Sequence, residues 1–327
     1  MRRLILLLIC TVMLMTACAK NEDEYYVREI YSMDTVINVN VDPNVKNVET
    51  VCNEVVYYIY ELEKDLSATV ADGDLVRFNA SVQPYTLSPD LLEAVRQALD
   101  IAHKTEGRYD PTVLPLTELW NITEGGHLPT EAEIVTARSQ VDYTALTLEG
   151  DVLSKSSAVR LDLGGIAKGY ALGRVVDMLC DRGVGYGMIS FGGNVGVFGQ
   201  KPDGTLWEIG IKDPFDTDSV IGKIRTSSGY VAVSGDYERY FEQNGKKYHH
   251  IFDPQSGYPV DNGLRSVAVY TEDATLGDAL STALFVMGYD RAIEFYNSGI
   301  YDFEALFITD DEVLMTKGME EMFTYEN

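Results

Sequence analysis

Leu161-Asp-Leu-Gly-Gly-Ile-Ala-Lys-Gly-Tyr170 is the stretch that decides how this 327-residue chain is interpreted. An apolar run ends in Gly164 and Gly165, Lys168 follows, and an amphipathic helix pattern comes next. Taken alone, such a stretch is typical of an ordinary strand-to-helix turn with an exposed lysine. Unpaired backbone amides at a helix start, beside an ammonium group, would however bind an anion. We therefore expect this turn to form one wall of an anion site.

A second stretch, Asp278-Ala-Leu-Ser-Thr282, places a carboxylate and a hydroxyl four residues apart. On a helix these two oxygens share a face, which suits a hard divalent cation. Ser281 would add a ligand through water. The alternative is structural: an acid near a helix N-terminus, and a threonine that bonds back to the helix backbone.

A third stretch, His249-His-Ile-Phe-Asp-Pro-Gln-Ser-Gly-Tyr-Pro259, supplies imidazole groups in a loop that prolines make rigid. Adjacent residues of a strand point to opposite faces, so at most one of His249 and His250 enters a given cleft. A histidine at such a place is more often structural than catalytic. An anion site, metal ligands and a candidate base together suggest phosphoryl chemistry on an anionic substrate.

The overall charge excludes some partners. The formal net charge is −25, whereas proteins that bind nucleic acid present basic surfaces. The same acidity argues against electrostatic docking on anionic lipid. A nucleotide substrate would need local positive charge, so Lys168 and a bound metal ion matter more in this chain.

The N-terminus resembles a bacterial lipoprotein signal. Arg2 and Arg3 precede an apolar run, Leu4 to Met15, that is too short to span a bilayer comfortably, and small residues lead to Cys18. We expect residues 1–17 to be a signal peptide, Cys18 to be lipidated, and residues 18–24 to be a tether. A plain secretory signal is the alternative. Either interpretation predicts an extracytoplasmic protein, which Cys18 would anchor to the bacterial cell membrane.

Two further cysteines, Cys52 and Cys180, lie in helical patterns. Their spacing does not require a disulfide, and we expect two buried free thiols. The sequence has no Cys-x-x-Cys and no Cys/His cluster, so a zinc site is not expected.

Apolar periodicity predicts the class of fold. Strands are expected over 25–41, near 187–191, 206–211, 229–234, 248–252 and 264–270, and as a pair over 303–316. Helices are expected from Val48 to Leu66, after Ser88-Pro89, after Gly165, and over 274–287 and 289–297. Strands and helices mix without strict alternation, and no long linker divides the chain. We predict one compact α+β domain over 25–327, with mixed or antiparallel sheets flanked by helices.

Two glycine-rich segments have alternative explanations. The glycines of Gly183-Val-Gly-Tyr-Gly187 follow a helix and precede a strand, which is the reverse of a dinucleotide-binding fingerprint. Phe191-Gly192-Gly193-Asn194 ends a strand. It is either a tight turn or a place where backbone approaches a ligand closely.

The ordered motifs together resemble the ApbE family, the FAD:protein FMN transferases, from about residue 25 to the C-terminus. The motifs that carry the resemblance are Met33-Asp-Thr35, Glu61 to Ser67, Gly107-Arg-Tyr-Asp-Pro-Thr112, LDLGGIAKGY, FGGN, Ser234-Gly-Asp-Tyr-Glu-Arg239, HHIFDPQSGYP and GDALSTALF. The resemblance implies binding of FAD and Mg²⁺, and transfer of FMN to a threonine or serine hydroxyl of an acceptor protein, with release of AMP. The acceptors would be flavin-carrying subunits of redox or electron-transfer systems.

The resemblance also implies roles for individual residues. Asp278 and Thr282, with Ser281 beside them and the backbone carbonyl of Gly165, match the metal ligands. His250 matches a histidine near the reaction centre and would act as the base. The positions expected to line the flavin nucleotide are Met33, Tyr109, Asp110, Pro111, Asp162, Lys168, His250 and Ile251. From the residues alone, Asp162 would either contact the nucleotide or brace its own turn.

The sequence departs from the family pattern at Asp34 and Gly173, where glycine and aspartate are usual. These departures leave the finer substrate contacts open. Two other activities fit the same motifs: hydrolysis of FAD to FMN and AMP, and flavin binding without catalysis.

Overall fold

A computed structural model describes residues 25–156 and 158–326. The predicted signal peptide, Cys18 and the whole tether lie outside these residues. The strands are β1 Tyr26–Ser32, β2 Thr35–Val41, β3 Tyr85–Thr86, β4 Leu146–Glu149, β5 Val152–Lys155, β6 Gly187–Phe191, β7 Asn194–Phe198, β8 Trp207–Lys212, β9 Val220–Thr226, β10 Gly229–Gly235, β11 Tyr240–Gln243, β12 Lys246–His249, β13 Leu264–Thr271, β14 Glu304–Thr309, β15 Val313–Met315 and β16 Phe323–Tyr325.

The helices alternate irregularly with these strands. They are α1 Val48–Leu66, α2 Asp74–Ala80, α3 Pro89–Lys104, α4 Leu114–Trp120, α5 Glu131–Arg138, α6 Ala167–Asp181, α7 Ala274–Met287, α8 Tyr289–Asn297 and α9 Lys317–Met322. None of the helices in the described part of the chain has the length and apolar character needed to cross a membrane.

An antiparallel eight-stranded sheet forms the centre of the fold, in the order β1-β2-β6-β7-β10-β13-β14-β15. Helices α1, α3, α6 and α7 cover one face and bury the largest apolar cluster. The small sheet β16-β9-β8 covers part of the other face, where Trp207 and Ile209 pack against Val231. The predicted α+β domain with antiparallel sheets and flanking helices is therefore confirmed.

Two helices carry the functional segments, and the sequence explains both. The side chain of Asp273 caps α7 by accepting hydrogen bonds from the amides of Thr275 and Leu276. Nearly every residue of α7 is buried, because the helix lies between α6 and strands β10 and β13. It crosses α6 closely at Gly169, where an added Cβ would lie 2.3 Å from the carbonyl oxygen of Ala274. Glycine at this position brings the two helices into contact.

Two local expectations need correction. The strand expected over 248–252 ends at His249. The chain then bends, because the carbonyl of Asp253 accepts a hydrogen bond from Gly257. Cys52 is buried as expected, but Cys180 is exposed, since it lies about 100° around α6 from the buried Leu179. Both thiols are free.

Candidate active site

The turn before α6 is held by its own aspartate. The amide of Asp162 donates to the carbonyl of Pro111 at 2.8 Å, which joins the turn to the loop that carries Tyr109. Asp162 Oδ1 accepts from the amide of Gly164, and Oδ2 accepts from the hydroxyl of Thr117, both at 2.8 Å. Of the two roles considered for Asp162, the structure shows the bracing one.

Asp278 caps α6 from a neighbouring helix. Its Oδ2 accepts a hydrogen bond from the amide of Gly169 at 2.8 Å, although the two residues are 109 positions apart. In a continuous helix that amide would bond to the carbonyl of Gly165. No hydrogen bond to the Gly165 carbonyl occurs within 25–156 and 158–326. The cap therefore leaves a backbone oxygen free beside the carboxylate.

The anion site is smaller than the glycine-rich sequence predicted. The amides of Gly164 and Gly169 are bonded to carboxylates, and the amide of Ala167 donates to the carbonyl of Leu163. Within residues 164–169 of the described structure, only the amides of Gly165 and Lys168 have no partner. These two backbone donors remain for an anion, together with the Lys168 ammonium, which also donates to the carbonyl of Gly164 at 3.1 Å.

Three oxygens that suit a hard cation are supplied by the Gly165 turn and by the face of α7 that packs on it. A Cβ on this glycine would lie 3.6 Å from Oγ1 of Thr282, so the hydroxyl lies against the turn. Asp278 is only 4% exposed, and its Oδ1 has neither a hydrogen bond nor a salt-bridge partner among the described residues. A buried carboxylate without a cation is costly, and a bound divalent ion would offset that cost. The donor set therefore fits Mg²⁺.

Other acidic or imidazole ligands do not surround Asp278. The described residues contain no group of three or more His, Cys, Asp or Glu side chains placed to hold a metal. Ser281 is fully buried, and its hydroxyl donates to the carbonyl of Asp278 at 2.8 Å. Its oxygen also lies 2.8 Å from Oγ of Ser234, which lies 3.3 Å from Oγ1 of Thr282. The structure thus uses Ser281 as a brace and adds Ser234, which the sequence analysis did not assign.

Tyr109 forms the wall beside the three oxygens. Its ring would lie 3.2 Å from a Cβ on Gly165, and its buried hydroxyl has no hydrogen-bond partner among the residues that the structure describes. Burial raises the pKa of this phenol well above its usual value, so the hydroxyl remains a donor. An orphaned buried donor needs a partner, and a ligand would supply one. The neighbouring Asp110 accepts hydrogen bonds from the amide and hydroxyl of Thr112 and from the amide of Tyr143, which fix its position.

His250 is a neutral base near Lys168. Burial, followed by the charges of Arg239, His249 and Lys168, lowers its pKa from the ordinary 6.5 to about 3. Nδ1 lies 3.3 Å from the carbonyl oxygen of Arg239. A carbonyl oxygen only accepts, so this contact requires the Nδ1–H tautomer and leaves the lone pair on Nε2. The imidazole is thus unprotonated at neutral pH, because its pKa lies well below the ordinary value of 6.5.

The neighbours of His250 are structural, as the alternation of a strand predicts. His249 points into the core, where Nε2 lies 2.7 Å from the carbonyl of Val260 and the ring packs on Phe285. Ile251 was expected to contact the nucleotide. Its side chain is buried, its amide donates to Nδ1 of His249, and its carbonyl accepts from Val260. In the described structure, Ile251 supports the histidine and does not present a free group.

Arg239 connects His250 to the Met33 turn and, like Ser234, was not assigned from the sequence. Met33 and Asp34 both have positive φ, as a two-residue type I′ hairpin turn requires. The guanidinium of Arg239 donates to the carbonyl of Asp34 at 3.2 Å, and the backbone of Arg239 contacts His250. The motif Ser234-Gly-Asp-Tyr-Glu-Arg239 was part of the family resemblance and was the available signal.

The segment FGGN is the tight turn of the β6–β7 hairpin, in which Phe191 pairs with Asn194 and Gly192 has φ +60. Neither side-chain atom of the amide group of the buried Asn194 has a hydrogen-bond partner in the part of the chain that the structure describes.

These features agree with the comparisons with known proteins. The sequence model of the ApbE family matches residues 33–307. The chain belongs to the ApbE family. Its relatives include the FAD:protein FMN transferases of Vibrio cholerae, 33% identical over 88% of this chain and 89% of that protein, and of Klebsiella pneumoniae, 34% identical over 80% and 83%.

Solved ApbE structures have the same fold. The ApbE protein of Thermotoga maritima superposes with a TM-score of 0.84 at 33% identity, covering 91% of this chain and 99% of that chain. The flavin transferase ApbE of Vibrio cholerae gives 0.82 at 30% identity, covering 91% and 98%.

Proposed function

We propose that this protein transfers FMN from FAD to a serine or threonine hydroxyl of an acceptor protein, with Mg²⁺ as cofactor and AMP as the second product. The observation that carries the proposal is that Asp278 and Thr282 lie against the turn of Gly165 and Lys168, where Asp278 Oδ1 and the Gly165 carbonyl have no partner among the described residues. The charge of Lys168 in the same turn is close enough to help lower the pKa of His250. The relatives named as FAD:protein FMN transferases support it.

The metal ligands would be Asp278 Oδ1, the carbonyl of Gly165 and Oγ1 of Thr282. When bound there, Mg²⁺ would supply charge for the diphosphate of FAD. Lys168 and the amides of Gly165 and Lys168 would offset the remaining charge from the side of the turn. The hydroxyl of Tyr109 would donate to the nucleotide, which would satisfy its missing hydrogen bond.

In the reaction, the acceptor hydroxyl oxygen forms a bond to the FMN-side phosphorus, and the bond from that phosphorus to the bridging oxygen breaks. The bridging oxygen and its electron pair leave with AMP. Nε2 of His250 takes the hydroxyl proton, because Nδ1–H is held by the carbonyl of Arg239. The negative diphosphate would also raise the pKa of His250 by opposing the charges that now lower it.

The direct test combines the purified protein, FAD, Mg²⁺ and the soluble domain of a flavin-carrying redox subunit. Flavin fluorescence that survives denaturation in a gel would support the transfer. Release of FMN and AMP without an acceptor, at the rate seen with one, would instead indicate the hydrolase. Tight FAD binding with no turnover and no effect of Mg²⁺ would indicate a binding protein.

We further propose that the protein is extracytoplasmic and anchored to the membrane by lipidated Cys18. The signal-like residues 1–17 support this. Metabolic labelling with radioactive palmitate should label the wild type, and Cys18→Ala should abolish the label. Equal labelling of the two proteins would contradict the anchor.

A further inference from the structure

Strand β1 forms an open edge of the central sheet. It lies at the end of the strand order and, among residues 25–156 and 158–326, pairs only with β2, along its whole length from Tyr26 to Ser32. An edge strand exposes backbone donors and acceptors that can pair with another extended chain, and proteins usually keep such edges short or covered. A seven-residue edge is long by that standard.

The hairpin register shows which backbone groups are open. In a two-residue hairpin the residues that flank the turn, here Ser32 and Thr35, form a hydrogen-bonded pair. Pairs then alternate along the ladder, so the amides and carbonyls of Val27, Glu29 and Tyr31 point away from β2. No hydrogen bond to these backbone groups is found in the described residues. The edge therefore offers three backbone amides and three backbone carbonyls, spaced as an added β-strand would need them.

Side chains beside the edge are apolar and exposed. Val27 is 61% exposed, Tyr31 67%, and Val36, the cross-strand partner of Tyr31, 46%. These three share the outer face of the sheet, because side chains alternate along a strand and cross-strand pairs share a face. The other face of β1 is covered by α1, where Ile30 packs and the Ser32 hydroxyl bonds to Glu63.

The edge leads into the active site. Met33 follows β1 directly, and the carbonyl of Asp34 accepts a hydrogen bond from Arg239, whose own carbonyl contacts His250. A chain that runs beside β1 would therefore reach the turn that Arg239 links to the candidate base. The amide of Met33 donates to Glu63, which fixes the turn where the edge ends.

We propose that the acceptor protein docks by adding an extended segment to β1 as a further strand, which delivers its serine or threonine to the Met33 turn. This inference rests on the proposed transferase function and names the surface that recognises the protein substrate. Backbone pairing with Val27, Glu29 and Tyr31 would supply the affinity, and the apolar outer face would contact alternate side chains of the segment. The groups proposed to hold Mg²⁺, on Asp278, Thr282 and Gly165, are separate from this edge.

Amide exchange on the wild-type protein tests the pairing directly. The probe is the soluble domain of a flavin-carrying redox subunit whose acceptor threonine is changed to alanine, added with FAD and Mg²⁺. Exchange followed residue by residue by NMR should slow at least ten-fold at the amides of Val27, Glu29 and Tyr31. Unchanged exchange at all three amides, under conditions where the domain is bound, would overturn the proposal.

A kinetic test uses Glu29→Pro, which removes an outward amide and breaks no bond to β2. Its matched control is Glu29→Ala, which keeps the amide and removes the same carboxylate. We expect Glu29→Pro to raise the KM for the acceptor at least ten-fold, with the Kd for FAD unchanged, and Glu29→Ala to change the KM by less than about two-fold. An acceptor KM for Glu29→Pro within two-fold of wild type, with native thermal stability, would overturn the docking mode.

The failures of the two proposals are distinguishable. A wild type that never flavinylates any acceptor refutes the proposed function, whereas normal transfer by Glu29→Pro refutes only the docking mode. The alternative is that a second copy of this chain pairs with β1. Sedimentation of the protein alone, which measures its oligomeric state, tests this. A dimer that Glu29→Pro dissociates would assign the edge to self-association and overturn the proposal.

Discussion

Acid should destabilise the protein through His250, and the size of the effect follows from its surroundings. Burial and the charges of Arg239, His249 and Lys168 lower the pKa of this imidazole to about 3, against 6.5 when it is free. Above pH 6.5 both the folded and the unfolded states hold the ring neutral. Between pH 6.5 and 3 only the unfolded state binds the proton, so the free energy of unfolding decreases as pH falls.

The magnitude is about 1.4 kcal/mol for each pH unit in that window, or about 2 kcal/mol between pH 6.5 and pH 5. A His250→Gln variant lacks this term. Relative to the wild type it should therefore gain about 2 kcal/mol of stability when the pH is lowered from 7.5 to 5, whatever its absolute stability.

Urea unfolding followed by tryptophan fluorescence, at pH 7.5 and at pH 5, measures this difference. The surface variant His127→Gln controls for the loss of a histidine elsewhere. A stability gap between His250→Gln and wild type that stays constant within about 0.5 kcal/mol across the two pH values would refute the reasoning.

Three further perturbations follow from the geometry. Gly169→Ala should destabilise the protein by about 1–3 kcal/mol in thermal unfolding, because its Cβ would overlap the carbonyl of Ala274. The control Gly173→Ala lies on the same helix. Its Cβ would lie 3.4 Å from the Cβ of Ala274, so this variant should be neutral or stabilising. Arg239→Met should raise the pKa of His250 in an NMR titration, since it removes a neighbouring positive charge, and an unchanged or lower value would be inconsistent with that contact. A thiol reagent should modify Cys180 in the native protein and spare Cys52, whose burial raises its pKa to about 11; equal reaction of both would be inconsistent with the structure.

The sequence was sufficient for elements with strong local signals. Helices α1 and α7 have the bounds that apolar periodicity and capping residues predict, since each carries a continuous apolar pattern over many turns. Short helices such as α4, with Pro115 in its first turn, give too few residues for a periodic signal and were not predicted. Strand β9 likewise has exposed or half-buried residues at several positions, which weakens its pattern.

The site was predictable in residue types but not in its connections. Spacing along the chain brought Asp278 and Thr282 to one face of a helix, as found. The hydrogen bond from Gly169 to Asp278 spans 109 residues, so no local sequence pattern predicts it. Because this bond occupies an amide of the turn, the sequence also could not show how few amides remain for an anion. The low pKa of His250 also comes from burial and from charges on other segments, which a sequence does not place near one another.

Binding of a divalent ion by Asp278, Thr282 and the Gly165 carbonyl is the central claim, and diffraction tests it most directly. Crystals soaked with Mn²⁺ and FAD would locate the ion by its anomalous signal. The account predicts one peak within coordination distance of those three oxygens and in contact with the FAD diphosphate. A diphosphate bound away from the turn at Gly165, or an ion bound without Asp278, would contradict it.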